Sequence, residues 1–375
     1  MQTDRQTDRQ TKSARNSGVE LLKVIAIFLI CISHVTQTLG ATLDFSIATK
    51  DLQLLSLALL RHSGAIGNTI FFVCSAWFFV QSGSFKLKKW FFMLAEIWVI
   101  SVLILIPCYF LMEKTIPLKT IVKCLLPSYF ANNWYLSCYL LFYPFHPFLN
   151  KIIFSLNQRS LLRLSGVMFL LYSCFETVLG GHFFSSSLVL WVAFYFVIAY
   201  VQLYLTSFTE SRKQNLFLLG FGILGVLGLP LATNLLGLRF SLFANKLLHW
   251  GVNSNPFFFA IALSSLNLLR TATFKSPFVN YLSSLSLLIY IIHENLLLRS
   301  YVRPDLIAFV RERFGDSHLV LWVLCLSVLV FLFGFVTSAL YERTLRKYVK
   351  SASERILAWL CRIYQPVENW LLKIK

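Results

Sequence analysis

Charge is scarce in this chain, and acidic charge scarcest. Only 13% of the 375 residues are charged, and 16 acidic side chains face 34 basic ones. With 57% hydrophobic residues, the apolar surface is too large for one soluble core, which excludes an ordinary soluble fold. No two of the eight cysteines have C-x-x-C spacing, so neither a zinc knuckle nor a disulfide framework is suggested and the thiols read as small buried apolar groups. P-loop, G-x-S-x-G, H-E-x-x-H and kinase motifs are absent, which removes support for an ATP-driven machine or a zinc protease. No DNA- or RNA-binding motif or solenoid repeat accompanies the net charge of +18. That charge is assigned to the loops of a membrane protein rather than to nucleic acid.

What is present is a series of apolar runs. With about 20 residues per span as the measure, ten segments qualify, near 19–39, 64–81, 91–112, 132–149, 162–180, 186–206, 215–232, 255–269, 278–298 and 319–341. The expected fold is an all-α polytopic membrane protein of about ten transmembrane helices in one bundle. Residues 1–18, beginning "QTDRQTDRQT", form a polar, basic tail expected to be disordered. This tail is too polar for a signal peptide. The bundle is assigned to 19–341 and an amphipathic tail to 342–375, where Ile356, Leu357, Leu360, Ile363 and Tyr364 share one helical face. Of the 34 Lys and Arg, 23 fall on the side of the N-terminus and 11 on the other. This asymmetry predicts a multi-pass protein of the cell membrane with both termini cytoplasmic.

Polar groups inside the spans single out a site. His34 follows Val19 by 15 residues, and His293 follows Phe278 by the same number. Both spans run outward in this topology, so both imidazoles lie roughly 22 Å up their helices, in the outer half. Glu294 follows His293, and Asn132, Asn133 and Trp134 open the fourth span at the same level. Ionisable groups in spans are costly and gather at cavities. The bland alternatives are helix packing for either histidine and interfacial anchoring for Asn133 and Trp134. Glu176 is read as structural. On the cytoplasmic side Lys86, Lys88 and Lys89 follow the second span, with Arg15 and Lys23 near the first. Such a cluster suits a phosphate-bearing donor, and equally suits lipid headgroups.

The segments "RNSGVELLKVIAIFLICISHV", "GNTIFFVCSAWFFV", "KLKK", "NNWYLSCYLLFYPFHPFL" and "SLLIYIIHENLLLR" occur in this order. Together they resemble the acyltransferase 3 family of integral-membrane O-acyltransferases, in particular the branch that acts on bacterial surface polysaccharides. Arg15, Asn16, Glu20, Leu21, Leu22 and His34 fill the places of the first motif, with Lys23 where arginine is usual. Tyr290, His293, Glu294, Asn295 and Arg299 match the last. Lys86 and Lys89 stand where the family often has two arginines, which keeps charge and loses the bidentate fork. The likeness covers roughly residues 15–341.

The resemblance implies transfer of an acyl group, acetyl in the usual case, from acetyl-coenzyme A or another acyl-coenzyme A to a hydroxyl of a polysaccharide or lipid-linked sugar. The expected partners are that donor, the glycan acceptor and membrane lipid, with no nucleic acid and no metal. His34 is expected either to take the hydroxyl proton or to carry the acyl group itself. His293 and Glu294 complete the catalytic set, Arg15, Lys86 and Lys89 hold donor phosphates, and Asn133, Trp134 and Arg299 contact the acceptor. Two rival readings stay open: a transporter or flippase, which an inverted repeat would favour, and a glycan polymerase, which would carry a larger outer loop.

Overall fold

The apolar runs fold as helices, and among the described residues there is no strand. The computed structural model describes residues 15–112, 115–180 and 186–373; most of the N-terminal tail, up to residue 14, lies outside them. The bundle begins with α1 (Ser17–Gly40), α2 (Leu52–Val80), α3 (Leu87–Leu111) and the short α4 (Leu118–Leu125). It continues through α5 (Trp134–Ser155), α6 (Gln158–Phe169, extended by a π-turn to Val178), α7 (Ser187–Tyr204), α8 (Thr206–Glu210), α9 (Arg212–Gly237) and α10 (Pro256–Arg270). The last elements are α11 (Pro277–Ser284), α12 (Ser286–His293), α13 (Arg303–Phe314), α14 (Leu319–Thr344) and α15 (Arg346–Lys373). The protein is an all-α polytopic membrane protein.

Each of the ten expected spans falls on helix, but among the described residues seven helices are long and apolar enough to cross a membrane. α5 carries Pro144 and Pro147 in its interior. α10 has 15 residues, about 22 Å at 1.5 Å per residue, which is shorter than a hydrocarbon core of about 30 Å. The expected ninth span is broken at Leu285 into α11 and α12 and ends at His293. That second break positions the site.

α1 and α2 form the central pair. A Cβ on Gly64 would lie 2.5 Å from Ser33 Oγ, and one on Gly67 2.5 Å from the Ala26 carbonyl oxygen. Only a hydrogen fits at these crossings, so the backbones approach closely. Hydroxyls then bond across the contact: Ser33 Oγ donates to Arg61 O at 2.7 Å and Ser63 Oγ to Leu29 O at 2.8 Å. His34 sits on α1 beside this seam.

The ends of the bundle are tied differently. At one, Asn16 caps α1 by accepting from Gly18 and Val19 N–H groups, and its amide donates to the Arg270 carbonyl at 2.6 Å. At the other, Arg311 grips Asp316 with two guanidinium nitrogens, at 2.7 and 2.5 Å, and reaches Thr42 Oγ1 at 2.6 Å. Those bonds hold the Asp316 carboxyl below the ordinary carboxylate range.

Candidate functional site

The helix that carries His293 stops there. Glu294 is its C-cap, and Asn295 Oδ1 accepts from Leu297 N–H at 3.0 Å, starting a new direction. A π-turn over Leu298–Val302 follows and leads into α13. Breaking a helix within the membrane frees backbone carbonyls that need donors. Arg303 supplies them: its Nη2 donates to the His293 carbonyl at 2.5 Å and to Glu294 Oε2 at 3.1 Å, and its Nη1 points to the His34 carbonyl at 3.5 Å. This buried guanidinium staples the broken segment to α1.

The histidines expected at one depth meet. His34 Nδ1 lies 3.0 Å from His293 Nε2 and 2.9 Å from Glu294 Oε2. The hydrogen-bond partners set the tautomers. His293 Nδ1 is 2.7 Å from the Ile289 carbonyl, which can only accept, so Nδ1 carries the proton and Nε2 of the neutral ring is an acceptor. His34 Nδ1 therefore faces two acceptors, His293 Nε2 and the Glu294 carboxylate, and must itself be the donor. In neutral His34 the basic lone pair is then on Nε2. A carboxylate behind one ring nitrogen, leaving the other free to accept a proton, is the arrangement of a general base.

Glu294 is also gripped by Arg299, whose Nη1 donates to Oε1 at 3.1 Å and to the Asn132 carbonyl at 3.2 Å. Asn133 Nδ2 approaches the Glu294 carbonyl at 3.4 Å. Two guanidiniums on one carboxylate leave an excess of positive charge beside the imidazoles. His34, His293 and Glu294 also have the atom types of a metal site, with ligand atoms within 4.8 Å of one another. His34 Nδ1 is 3.0 Å from His293 Nε2 and 2.9 Å from Glu294 Oε2, and both arginines lie on the same carboxylate. Tyr290 and Tyr135, with ring centroids 6.0 Å apart, wall the site on the side of α5.

The other residues expected to act on ligands divide. Lys86 and Lys89 line a groove of about 1030 Å³ between the start of α3 and α15. Arg346, Lys347 and Lys350 face them across it. α15 is held there by Arg346, which bonds buried Glu96 at 2.8 Å and Glu342 at 3.1 Å. Arg15 is not in that lining; one of its nitrogens donates to the Asn280 carbonyl at 3.2 Å. Ser17 Oγ accepts from Ser276 N–H at 3.0 Å, and Glu20 takes a hydrogen bond from Ser283. The first motif thus clamps α1 to the segment that carries His293. Trp134 borders a void of about 10 Å³ with Asn68, Asn253 and Trp191, which has room for about one water. Arg299 and Asn133 spend contacts on Glu294 and its backbone.

Sequence reasoning missed Arg303, Arg346, Lys347 and Lys350 as site or groove residues. Arg303 had one signal, a basic residue followed by proline just after an apolar segment; the others lie in a tail read for its apolar face and its basic count, not for a ligand.

A family model described as an acyltransferase domain matches residues 16–361, nearly the whole chain. No curated protein and no solved structure matches it. The chain belongs to that family and is a membrane acyltransferase.

Proposed function

We propose that this acyltransferase moves an acyl group from acyl-coenzyme A to a hydroxyl of a surface polysaccharide or lipid-linked glycan, with His34 as general base. One observation carries the reading: Glu294 and His293 both hold His34 by Nδ1, which leaves Nε2 to take the proton. The hydroxyl oxygen attacks the thioester carbonyl as Nε2 removes its proton. The carbon–sulfur bond then breaks, and the departing thiolate receives that proton from His34. The ester and free coenzyme A are the products. The positive excess from Arg299 and Arg303 favours the negative charge that develops on the carbonyl oxygen.

Lys86 and Lys89 hold donor phosphates together with Arg346, Lys347 and Lys350. Lysine offers charge without a fork, and Arg346, whose Nε and Nη1 are taken by Glu96 and Glu342, adds charge rather than a bidentate contact. Arg15 has a positioning role in this scheme, holding the helix that carries His34. The excess of basic residues at the groove end supports a cytoplasmic placement for both termini, so the donor's thiol arm extends outward toward His34. Asn133, Trp134 and Arg299 border the side on which the acceptor arrives.

The deciding experiment measures coenzyme A release and ester formation on isolated membrane glycans by purified wild-type and His34→Gln protein. Glutamine keeps a polar side chain and removes the titratable nitrogen. A rate loss of about 10²–10⁴ is expected for loss of a general base. Near-normal transfer by His34→Gln protein would refute the assignment.

A further inference from the structure

Between the basic groove and His34, the bundle interior holds hydroxyls that bond nothing. Among the described residues, the hydroxyl oxygens of Tyr341, Ser338, Ser286 and Tyr135 are buried and have no hydrogen-bond partner. The four residues are 6%, 0%, 3% and 7% exposed. A buried hydroxyl without a partner is costly, and a serine in a helix ordinarily returns its proton to a carbonyl of the preceding turn. Ser327, on the same α14, does so by bonding the Val323 carbonyl at 2.6 Å. Ser338 and Ser286 do not.

The four follow one another from the groove to the site. Tyr341 precedes Glu342, which lines the groove. Ser338 comes a turn earlier on α14, and a turn before it Gly334 meets α12: a Cβ there would lie 3.0 Å from Ile289 Cγ2. On α12, Ser286 stands one turn before Tyr290. The Tyr290 ring centroid is 6.0 Å from that of Tyr135 and 6.5 Å from that of His34. The path runs along α14 from Tyr341 to Gly334 and along α12 from Ile289 to His293, about 17 Å at 1.5 Å per residue.

We propose that these hydroxyls hold the donor's pantetheine arm, the amide-bearing chain that joins the diphosphate of coenzyme A to its sulfur. The inference rests on the acyl-coenzyme A reading above and adds the residues that guide the arm. From phosphorus to sulfur the arm has about thirteen bonds, which reach about 15 Å at roughly 3.5 Å per three bonds of extended chain. A diphosphate held in the groove therefore sets the thioester beside Tyr135 and His34. The arm's amides and its own hydroxyl offer donors and acceptors together, and each protein hydroxyl can serve as either. A lipid chain in the same place would leave all four unpaired.

The test uses the full chain in phospholipid nanodiscs, with binding measured by calorimetry. Acetyl-coenzyme A is the donor, and adenosine 3′,5′-bisphosphate, which has headgroup phosphates without the arm, is the control ligand. Ser286→Ala, Ser338→Ala, Tyr135→Phe and Tyr341→Phe each remove one hydroxyl and change little else in shape. Each should weaken acetyl-coenzyme A binding about twofold to tenfold, the worth of one hydrogen bond, and the two serine changes together should weaken it more than either alone. Binding of the bisphosphate should match wild type throughout. Thermal stability of the ligand-free protein should hold or rise, because each change deletes an unpaired buried group; hydroxyls with a structural role would instead lower it and leave donor binding intact. Wild-type acetyl-coenzyme A binding by all four variants, or an equal loss of bisphosphate binding, overturns the inference. If wild-type protein binds neither ligand, the donor reading itself falls.

Discussion

Replacing Arg303 tests whether the broken segment after His293 is held by one buried guanidinium. Arg303 is 7% exposed and makes three contacts from two nitrogens, at 2.5, 3.1 and 3.5 Å. In Arg303→Ala the Glu294 carboxylate keeps His34 Nδ1–H and one guanidinium, that of Arg299, which is itself 33% exposed, and the His293 carbonyl loses its donor. Breaking a buried ion pair by removing one partner costs about 3–5 kcal/mol. Arg303→Lys keeps the charge but concentrates its donors at one point, so it cannot serve the carbonyls of His34 and His293 together. The expected cost is about 1–3 kcal/mol, that of a buried acceptor left unsatisfied. The assay pairs thermal denaturation of detergent-purified protein with coenzyme A release. Stability should fall in the order wild type, Arg303→Lys, Arg303→Ala, and turnover should fall with it as the Glu294 carboxylate loses its place behind His34. A double-mutant cycle with Glu294→Gln should show coupling of about 0.5–3 kcal/mol. Additive effects, or an alanine variant with wild-type stability and turnover, would show that the guanidinium does not organise the site.

Three further outcomes follow from other parts of the molecule. Lys89→Ala combined with Lys347→Ala should raise the apparent KM for acyl-coenzyme A tenfold or more with kcat little changed, because a charge-assisted phosphate contact contributes about 1.5–3 kcal/mol; unchanged KM would assign the groove to lipid headgroups. Asn16→Ala should lower thermal stability by about 1 kcal/mol or more through loss of the α1 cap and the Arg270 tie, while leaving donor KM unchanged. Gly64→Val puts a branched side chain where a Cβ already meets Ser33 Oγ at 2.5 Å; it should cost about 1–3 kcal/mol and reduce turnover by shifting His34, and full activity would show that the α1–α2 seam yields without disturbing the site.

The membrane class and the shared depth of His34 and His293 were legible because each depends on a local quantity. Apolar runs of spanning length are countable, and two histidines 15 residues into spans of the same direction reach one depth. Membership of the acyltransferase family was legible from five ordered motifs, although no one of them is specific. What escaped depends on where the chain stops being helical. Glu294 was visible as the residue after His293, but on a continuous helix it would point about 100° away from its neighbour. Ending α12 at His293 lets the carboxylate turn back to His34 Nδ1. The same break returns Arg303 from what reads as an outer loop into the protein interior. A count of loop charges treats Arg299 and Arg303 as equivalents of Arg311, which grips Asp316 near the surface, yet the first two converge on one buried carboxylate. Arg15 shows the converse, since a basic residue at a membrane boundary invites a ligand, while in the structure one of its nitrogens meets the Asn280 carbonyl. In both cases the discriminating quantity is which acceptor lies within 3.5 Å, and acceptors exposed by an interrupted helix leave almost no mark on hydropathy. Arg303 therefore belongs to the site for the same physical reason that the span is broken there: a helix opened inside a membrane needs a donor for its freed His293 carbonyl, and a guanidinium can satisfy that carbonyl and the Glu294 carboxylate at once.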